Sequence, residues 1–310
     1  MAGGNQAKNR LGFLGLLAVA RDFRIIQNTL FVLSFLHYLN FKNSQLITYN
    51  SKLIMLPTNF IEGFLCVILL TIGSILTKKI DVLGAIVGGL LTLLMFLGFN
   101  FAGIGLIFIF FVLGSLVSYY KKTEKQKLGL EQENKGKRSY VHALSNAGVA
   151  GFLGLCAWIF PEFAFICQVL MCASMCCALS DTFSSELGNV FGKRYFNILT
   201  FKADKRGNDG AISLEGTLFG VLGALFMAIY SMIVLPNFEP YLAKNDIYYI
   251  GFGIFFSGFA GNLMDSVLGA SLQKKGFLNN HSVNFFSTLF AAFVGFVCFM
   301  VFVFCFVPVI

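Results

Sequence analysis

The chain has 310 residues, of which 57% are hydrophobic and only 12% charged, whereas soluble domains carry about 25% charged residues. That composition excludes an ordinary soluble globular fold. The formal net charge of +8 does not mark a nucleic-acid binder, because the basic residues fall in short loops between apolar runs.

Several of these runs reach the ~20 residues needed to cross a bilayer, so the chain reads as an all-α, polytopic transmembrane helical bundle. Residues 11–20 are apolar but too short to span, and Arg21, Asp22 and Arg24 interrupt them. They read as an interfacial helix, or as the lead-in to a first span near 25–41. Later spans are expected near 58–77, 82–98, 102–120, 144–160, 164–180, 212–235, 249–268 and 284–309, about nine in all. The division is then an N-terminal region, 1–57, and a membrane-embedded catalytic domain, 58–310. With the N-terminus inside, all of the 23 Lys and Arg residues except Lys42, Lys52 and Lys244 fall on the inner side. This is the positive-inside pattern, and it puts the N-terminus in the cytosol, or in the stroma of a plastid.

The loop 121–140 is the most polar stretch. Its Lys121, Lys122, Lys125 and Lys127 are interleaved with Glu124, Glu131 and Glu133. A solvated helical hairpin drawn to anionic headgroups is the ordinary explanation, and a hold on a substrate phosphate the sharper one. Ser145-Asn146-Ala147-Gly148 opens a small-residue helix, where Asn146 would cap the helix or bond a ligand. The eight cysteines lie in or beside apolar runs without a CxxC pair and read as small packing residues. Gly84-xxx-Gly88, Gly216-xxx-Gly220 and Ser257-Gly258-xx-Gly261 read for the most part as helix-packing contacts, with a backbone approach to ligand as the alternative at Gly216.

Carboxylates in a membrane are expensive, so each needs a reason. Asp181, Glu186, Glu215 and Asp265 fall at the inner ends of spans, and Glu62 near the outer end of its own. Between Glu186 and Glu215 sit Lys193, Arg194, Lys202, Lys205 and Arg206. Carboxylates beside basic loops suit a metal–phosphate site, since Mg²⁺ is usually held by one or two carboxylates plus substrate phosphates. Neutralisation of the acids by nearby basic side chains is the plainer alternative. Gly207-Asn208-Asp209-Gly210-Ala211 is a turn running into a helix whose first amides suit a phosphate. No Walker A or Gly-x-Gly-x-x-Gly pattern is present. Asn279-Asn280-His281-Ser282-Val283-Asn284 reads as a helix cap or as the lining of a polar pocket.

Four motifs in order carry a resemblance: Asp181-Thr-Phe-Ser-Ser185-Glu186-Leu-Gly188, Gly207-Asn-Asp-Gly210-Ala-Ile-Ser213-Leu-Glu215-Gly216, Gly261-Asn-Leu-Met-Asp265-Ser266, and Asn280-His-Ser-Val-Asn284. They resemble the integral membrane family of transmembrane protein 19 and plant phytyl-phosphate kinase, closer to the kinase branch. The resemblance covers about 120–310 well and 60–120 loosely. A more distant likeness links Asp181, Phe191-Gly192-Lys193 and Ser213-Leu-Glu215-Gly216 to CTP-using polyprenol kinases and cytidylyltransferases. The resemblance implies phosphoryl transfer from a nucleoside triphosphate, CTP favoured, to an isoprenoid monophosphate. It implies a catalytic set of Asp181, Glu186, Glu215 and Asp265, with Mg²⁺ on Asp181, Glu186 and Asp265. Substrate and nucleotide contacts are expected from Asn146, Ser185, Lys193, Lys202, Arg206, Gly210, Ser213, Gly216, Ser266, Asn280 and Asn284. The expected setting is a plastid or endoplasmic reticulum membrane in a eukaryote and the cytoplasmic membrane otherwise, with the site on the cytosolic or stromal face. Another lipid phosphotransferase, a cytidylyltransferase or an ion-coupled transporter are the alternatives. The acids cluster at one face and no repeat is visible, which weighs against transport.

Overall fold

A backbone in lipid must satisfy its own N–H and C=O groups, and a helix does so within one segment. The computed structural model describes residues 56–57, 59–76, 80–127, 139–239 and 242–306. The interfacial helix near 11–20 and the span near 25–41 lie outside these residues. The helices are α1 (Phe60–Leu76), α2 (Val82–Tyr119), α3 (Lys122–Lys127), α4 (Tyr140–Ile159), α5 (Ala164–Phe191), α6 (Leu214–Val234), α7 (Lys244–Leu268) and α8 (Asn280–Phe306). Among the described residues, α2, α4, α5, α6, α7 and α8 are long and apolar enough to cross a membrane, and α1 is apolar but shorter. Residues 52–299 group as one compact unit, and the packing below is internal to it.

The 38 residues of α2 do not run straight. Phe99 (φ −140°, ψ 15°) and Asn100 (φ 51°, ψ −148°) leave helical geometry. Gly103 then lies directly against the backbone of Met95. Residues eight apart in a continuous helix would be separated by about 12 Å at 1.5 Å per residue, so the chain folds back here. The two limbs match the separate spans expected at 82–98 and 102–120. Asn tolerates the positive φ, and the Asn100 side chain accepts from the Phe101 N–H at 2.9 Å.

Two expectations about helix ends are corrected. Helix α4 starts at Tyr140, behind Ser139, whose backbone N–H donates to His142 Nδ1 at 3.3 Å. Asn146 is therefore inside the helix and does not cap it; its amide donates to the His142 carbonyl at 2.9 Å. Helix α5 was expected to stop near 180 but continues to Phe191. Within the polar run Ser-Asp-Thr-Phe-Ser-Ser-Glu, which stays helical, the Thr182 and Ser185 hydroxyls turn back on their own helix. Thr182 donates to the Ala178 carbonyl at 2.8 Å and Ser185 to that of Asp181 at 2.9 Å.

The all-α expectation also misses a small sheet. The basic loop folds into β1 (Tyr195–Asn197), β2 (Ala203–Asp204) and β3 (Ala211–Ser213), all antiparallel in the order β2-β1-β3. Tyr195 stands opposite both Asp204 and Ser213. Asn197 closes the β1–β2 turn by accepting from the N–H groups of Leu199 and Thr200 at 3.1 and 3.2 Å.

Helix α5 is the centre of the bundle, packed by α2, α4, α6 and α7. Glycines permit the close contacts. A Cβ on Gly188 would meet the Gly216 Cα at 2.9 Å, and one on Gly223 the Leu179 carbonyl at 2.8 Å. Gly258 and Gly261 sit against Cys176 and Cys177, which are free thiols packed in the core. The glycine pairs at 216/220 and 258/261 thus pack helices, as their spacing indicates, whereas of the pair 84/88 only Gly84 is in close contact and a Cβ on Gly88 would meet no atom within 4 Å.

Glu186 meets an unexpected partner. Lys125 of α3 reaches into the bundle, its side chain 5% exposed, and donates to Glu186 Oε2 at 2.6 Å. The same ammonium donates to the carbonyls of Ser118 and Val117 at 2.8 and 3.2 Å. Its donors are thereby spent, and α3 is pinned onto α5.

Two measurements follow. Either Lys125→Met or Glu186→Met alone leaves a buried charge unpaired and lowers thermal stability in detergent by about 3–5 kcal/mol, whereas the double variant regains most of it. Gly154→Val overfills the contact between Gly154 and Gly98 and the backbone at Leu94 and Met95, at a cost of about 1–3 kcal/mol. Gly148→Ala, which meets only Phe285 at 3.7 Å, is close to neutral in the same thermal assay.

Candidate functional site

Asp181 on α5 and Asp265 on α7 line one polar cavity of about 230 Å³. Their placement follows from a hydrogen-bond chain behind them. Asn262, one turn before Asp265, donates to Ser180 Oγ at 3.1 Å, and Ser180 donates to the Gly220 carbonyl at 2.8 Å. All three polar partners are buried between α5, α6 and α7, and Gly220 leaves room for the Asn262 amide. One oxygen of Asp265, Oδ2, is buried without a hydrogen-bond donor among the described residues.

The loop 207–210 forms the opposite wall. Gly207 and Gly210 have φ of 81° and 74°, which glycine adopts freely. Gly210 lies against Ala270 in the π-helical turn Gly269–Gln273 that ends α7, where a side chain would collide. The Gln273 amide donates to Asp209 Oδ1 at 2.9 Å. Asp204 organises the loop's other end by accepting from the Asn208 amide at 2.6 Å and from the Lys205 N–H at 2.8 Å. These bonds hold the Asp204 carboxyl below the usual carboxylate range. Ser184, Asn189 and Ser266 complete the polar lining.

A second, larger cavity of about 340 Å³ opens from the same place. It runs among α1, both limbs of α2 and α4, and its walls are largely apolar, with Leu69, Leu70, Ile107, Phe108 and Phe111 among them. Asp181, Ser185 and Asn280 line both cavities. His142, Asn146 and Asn284 stand at the polar end of the apolar one. The rings of His142 and His281 meet edge to face there, with centroids 4.4 Å apart.

The expected site residues divide accordingly. Asp181, Asp265, Ser185, Gly210, Ser213, Gly216, Ser266 and Asn280 line the polar cavity, and Asn146 and Asn284 the apolar one. Ser213 also caps α6, accepting from the Gly216 N–H at 3.1 Å. Glu186 lines neither cavity; it is committed to Lys125. Glu215, in the first turn of α6, accepts from the Lys193 N–H at 3.4 Å, off both cavity walls. Lys193 and Lys202 are exposed, and neither lines a cavity. Arg206 donates to the Gly192 carbonyl at 2.7 Å and lies over the Tyr195 ring at 5.4 Å. That ring in turn donates its hydroxyl to the Gly188 carbonyl at 2.7 Å, and burial pushes the phenol pKa up, so it stays a donor. These contacts fasten the sheet to the end of α5. The polar cavity thus has three carboxylates, Asp181, Asp209 and Asp265, and no Lys or Arg on its described walls, and Asp209 already accepts from the Gln273 amide. No three of the described His, Cys, Asp and Glu residues come together. The pair Asp181 and Asp265 fits a hard divalent cation that takes its remaining ligands from phosphates and water, and the donor-free Asp265 oxygen suits such an ion.

Asn262, Ser180 and Gln273 did not stand out from the sequence as site or scaffold residues, and Lys125, which reads as a solvated or phosphate-holding loop cation, is instead the buried partner of Glu186. Asn262 alone had a visible signal, an amide three residues before an intramembrane Asp in an otherwise apolar run.

The integral membrane protein family DUF92 matches residues 65–292. The chain is 33% identical over 243 residues to an uncharacterized membrane protein of Methanocaldococcus jannaschii, covering 76% of this chain and 93% of that one. It is 31% identical over 228 residues to Protein VTE6, chloroplastic, of Arabidopsis thaliana, covering 70% and 65%. Protein PGR of the same plant is 25% identical over 265 residues, covering 73% and 91%. No solved structure matches. The chain is an integral, multi-pass membrane protein and belongs to the DUF92 family.

Proposed function

We propose that the protein is a membrane-embedded kinase that transfers the γ-phosphoryl group of a nucleoside triphosphate, CTP favoured, to an isoprenoid monophosphate. The observation that supports this most is the junction of two unlike cavities at Asp181, Ser185 and Asn280. One is polar and suits a triphosphate; the other is apolar and suits a lipid tail. An acceptor whose tail fills the apolar cavity has its headgroup at Asn146, Asn284 and Asp181, facing the donor. An oxygen of the acceptor phosphate attacks the γ-phosphorus, the bond from that phosphorus to the β–γ bridging oxygen breaks, and a nucleoside diphosphate leaves. Such transfer needs alignment and charge neutralisation more than covalent catalysis.

In this reading Asp181 and Asp265 would hold Mg²⁺, which would supply charge neutralisation at the phosphates. Cation charge is needed because the described walls of the polar cavity carry no Lys or Arg. The loop 207–210 supplies the wall against the donor, and the Ser180–Asn262 bond keeps the two carboxylates in register. Glu186 acts through the scaffold, and Glu215 and Arg206 hold the sheet in place. The motif resemblance to phytyl-phosphate kinase favours an isoprenoid acceptor. The distribution of basic loops supports a site on the cytosolic or stromal face.

The test uses protein in nanodiscs with phytyl or geranylgeranyl monophosphate and each of CTP, ATP, GTP and UTP. Prenyl diphosphate is expected by mass spectrometry, and it disappears with EDTA. Asp181→Asn and Asp265→Asn each lower turnover by about 10²–10³-fold, as loss of a transition-state charge contact does. Product that persists in both variants overturns the site. Release of pyrophosphate with a nucleotidyl-lipid product identifies a cytidylyltransferase instead. Lys193→Ala and Lys202→Ala, being exposed, change the donor KM by less than about threefold in the same assay, in keeping with the small worth of solvent-exposed charges.

A further inference from the structure

Two glycines in the wall of the apolar cavity have no packing reason to be glycine. Gly73 of α1 and Gly88 of α2 both line it, and a Cβ on either would meet no atom within 4 Å. Their neighbours differ. Gly63 of α1 lies against the Phe96 ring, and Gly89 of α2 against the Thr71 hydroxyl, so those two allow α1 and α2 to approach. A glycine inside a helix is less favourable than alanine, so a position that packing does not require has some other use. The use visible here is empty space on the cavity side.

The polar atoms in this part of the wall are also turned away. Thr71 donates to the Val67 carbonyl at 2.8 Å, Ser74 to that of Thr71 at 2.7 Å and Thr92 to that of Gly88 at 2.7 Å. An occupant therefore meets methyl groups, aromatic rings and bare glycine backbone, and has no hydroxyl left to satisfy. The cavity also continues into the polar end at Asn146 and Asp181. An amphiphile with a polar head and a branched apolar tail matches both ends.

We propose that Gly73 and Gly88 determine which acceptor tails the protein accepts, by keeping open the channel that holds the tail beyond the headgroup. This rests on the lipid-phosphate reading of the site. The selection is steric. A tail expelled into the bilayer loses little hydrophobic free energy, because lipid chains are as apolar as the cavity. What it loses is a defined position for its phosphate opposite the donor. Filling the channel should therefore penalise long, branched tails and spare short ones.

The experiment compares wild type, Gly88→Ala, Gly88→Leu and Gly73→Leu in nanodiscs, each checked for an unchanged thermal midpoint. KM and kcat are measured for geranyl, farnesyl and phytyl monophosphate, and retention of the same three lipids is read by native mass spectrometry. Gly88→Leu is expected to raise the KM for the phytyl acceptor on the order of tenfold, the lower range for apolar-pocket discrimination. It changes the geranyl KM by less than about twofold, with Gly88→Ala between. Retention follows the same order. Equal effects on all three tails, or none, overturn the proposal, as does a wild type that retains no prenyl phosphate or keeps a bilayer phospholipid that prenyl phosphates do not displace. Tail-selective retention without turnover overturns the kinase reading and leaves the tail channel standing.

Discussion

The hydrogen bond from Asn262 to Ser180 fixes how three helices meet. It joins α7 to α5, and the Ser180 hydroxyl extends the chain to the Gly220 carbonyl on α6. Asp181 follows Ser180 directly, and Asp265 lies one turn after Asn262, so helix register becomes carboxylate position. A slip of one residue would turn either acid by about 100° and break the pair. Inside a bundle such bonds are strong, and a partner left alone costs about 1–3 kcal/mol, so the chain resists slippage. Glycines at 188, 216, 220 and 223 bring the helices close enough for the bond to form.

Several polar groups elsewhere in the bundle are closed off within it. The hydroxyls of Thr71, Thr92, Thr182 and Ser231 donate to carbonyls of their own helix, so these parts of helix faces that read as mixed behave as apolar. Lys125, which reads as a loop cation, is buried with every donor used. Asp265 has a buried oxygen that no described donor meets, as do Ser118, Ser174 and Gln168, and of these four only Asp265 belongs to a residue in the wall of the polar cavity. A buried polar atom without a partner calls for an explanation, and for Asp265 the cavity at its side chain offers one.

Most of the spans were legible because twenty apolar residues in lipid have essentially one solution. Even the reversal inside α2 left its mark, in Gly98-Phe-Asn100 between two runs. The end of α5 was not legible. Serines and threonines look like the edge of a membrane span, and nothing in their order says that they will bond backward along the same helix. The sheet was hidden because its strands are two or three residues long, too short for an alternating pattern to show. Intramembrane acids singled out Asp181 and Asp265 at once. Their cost did not tell which acids share a cavity and which find a lysine, because the partner of Glu186 is 61 residues away in sequence. The basic loop was likewise visible as charge, while its direction away from the cavity walls depends on a sheet and on the stacking of Arg206 over Tyr195.

Asp181, Ser185 and Asn280 each present atoms to two chambers at once. A group that fills one chamber therefore sets the rotamers and the local charge that a group in the other will meet. Thermodynamic linkage makes this reciprocal: whatever factor the first occupant contributes to the affinity of the second, the second returns to the first. Two occupants that meet at a common wall of three side chains behave as a cooperative pair, and the bundle needs no hinge or moving domain to make one sensitive to the other.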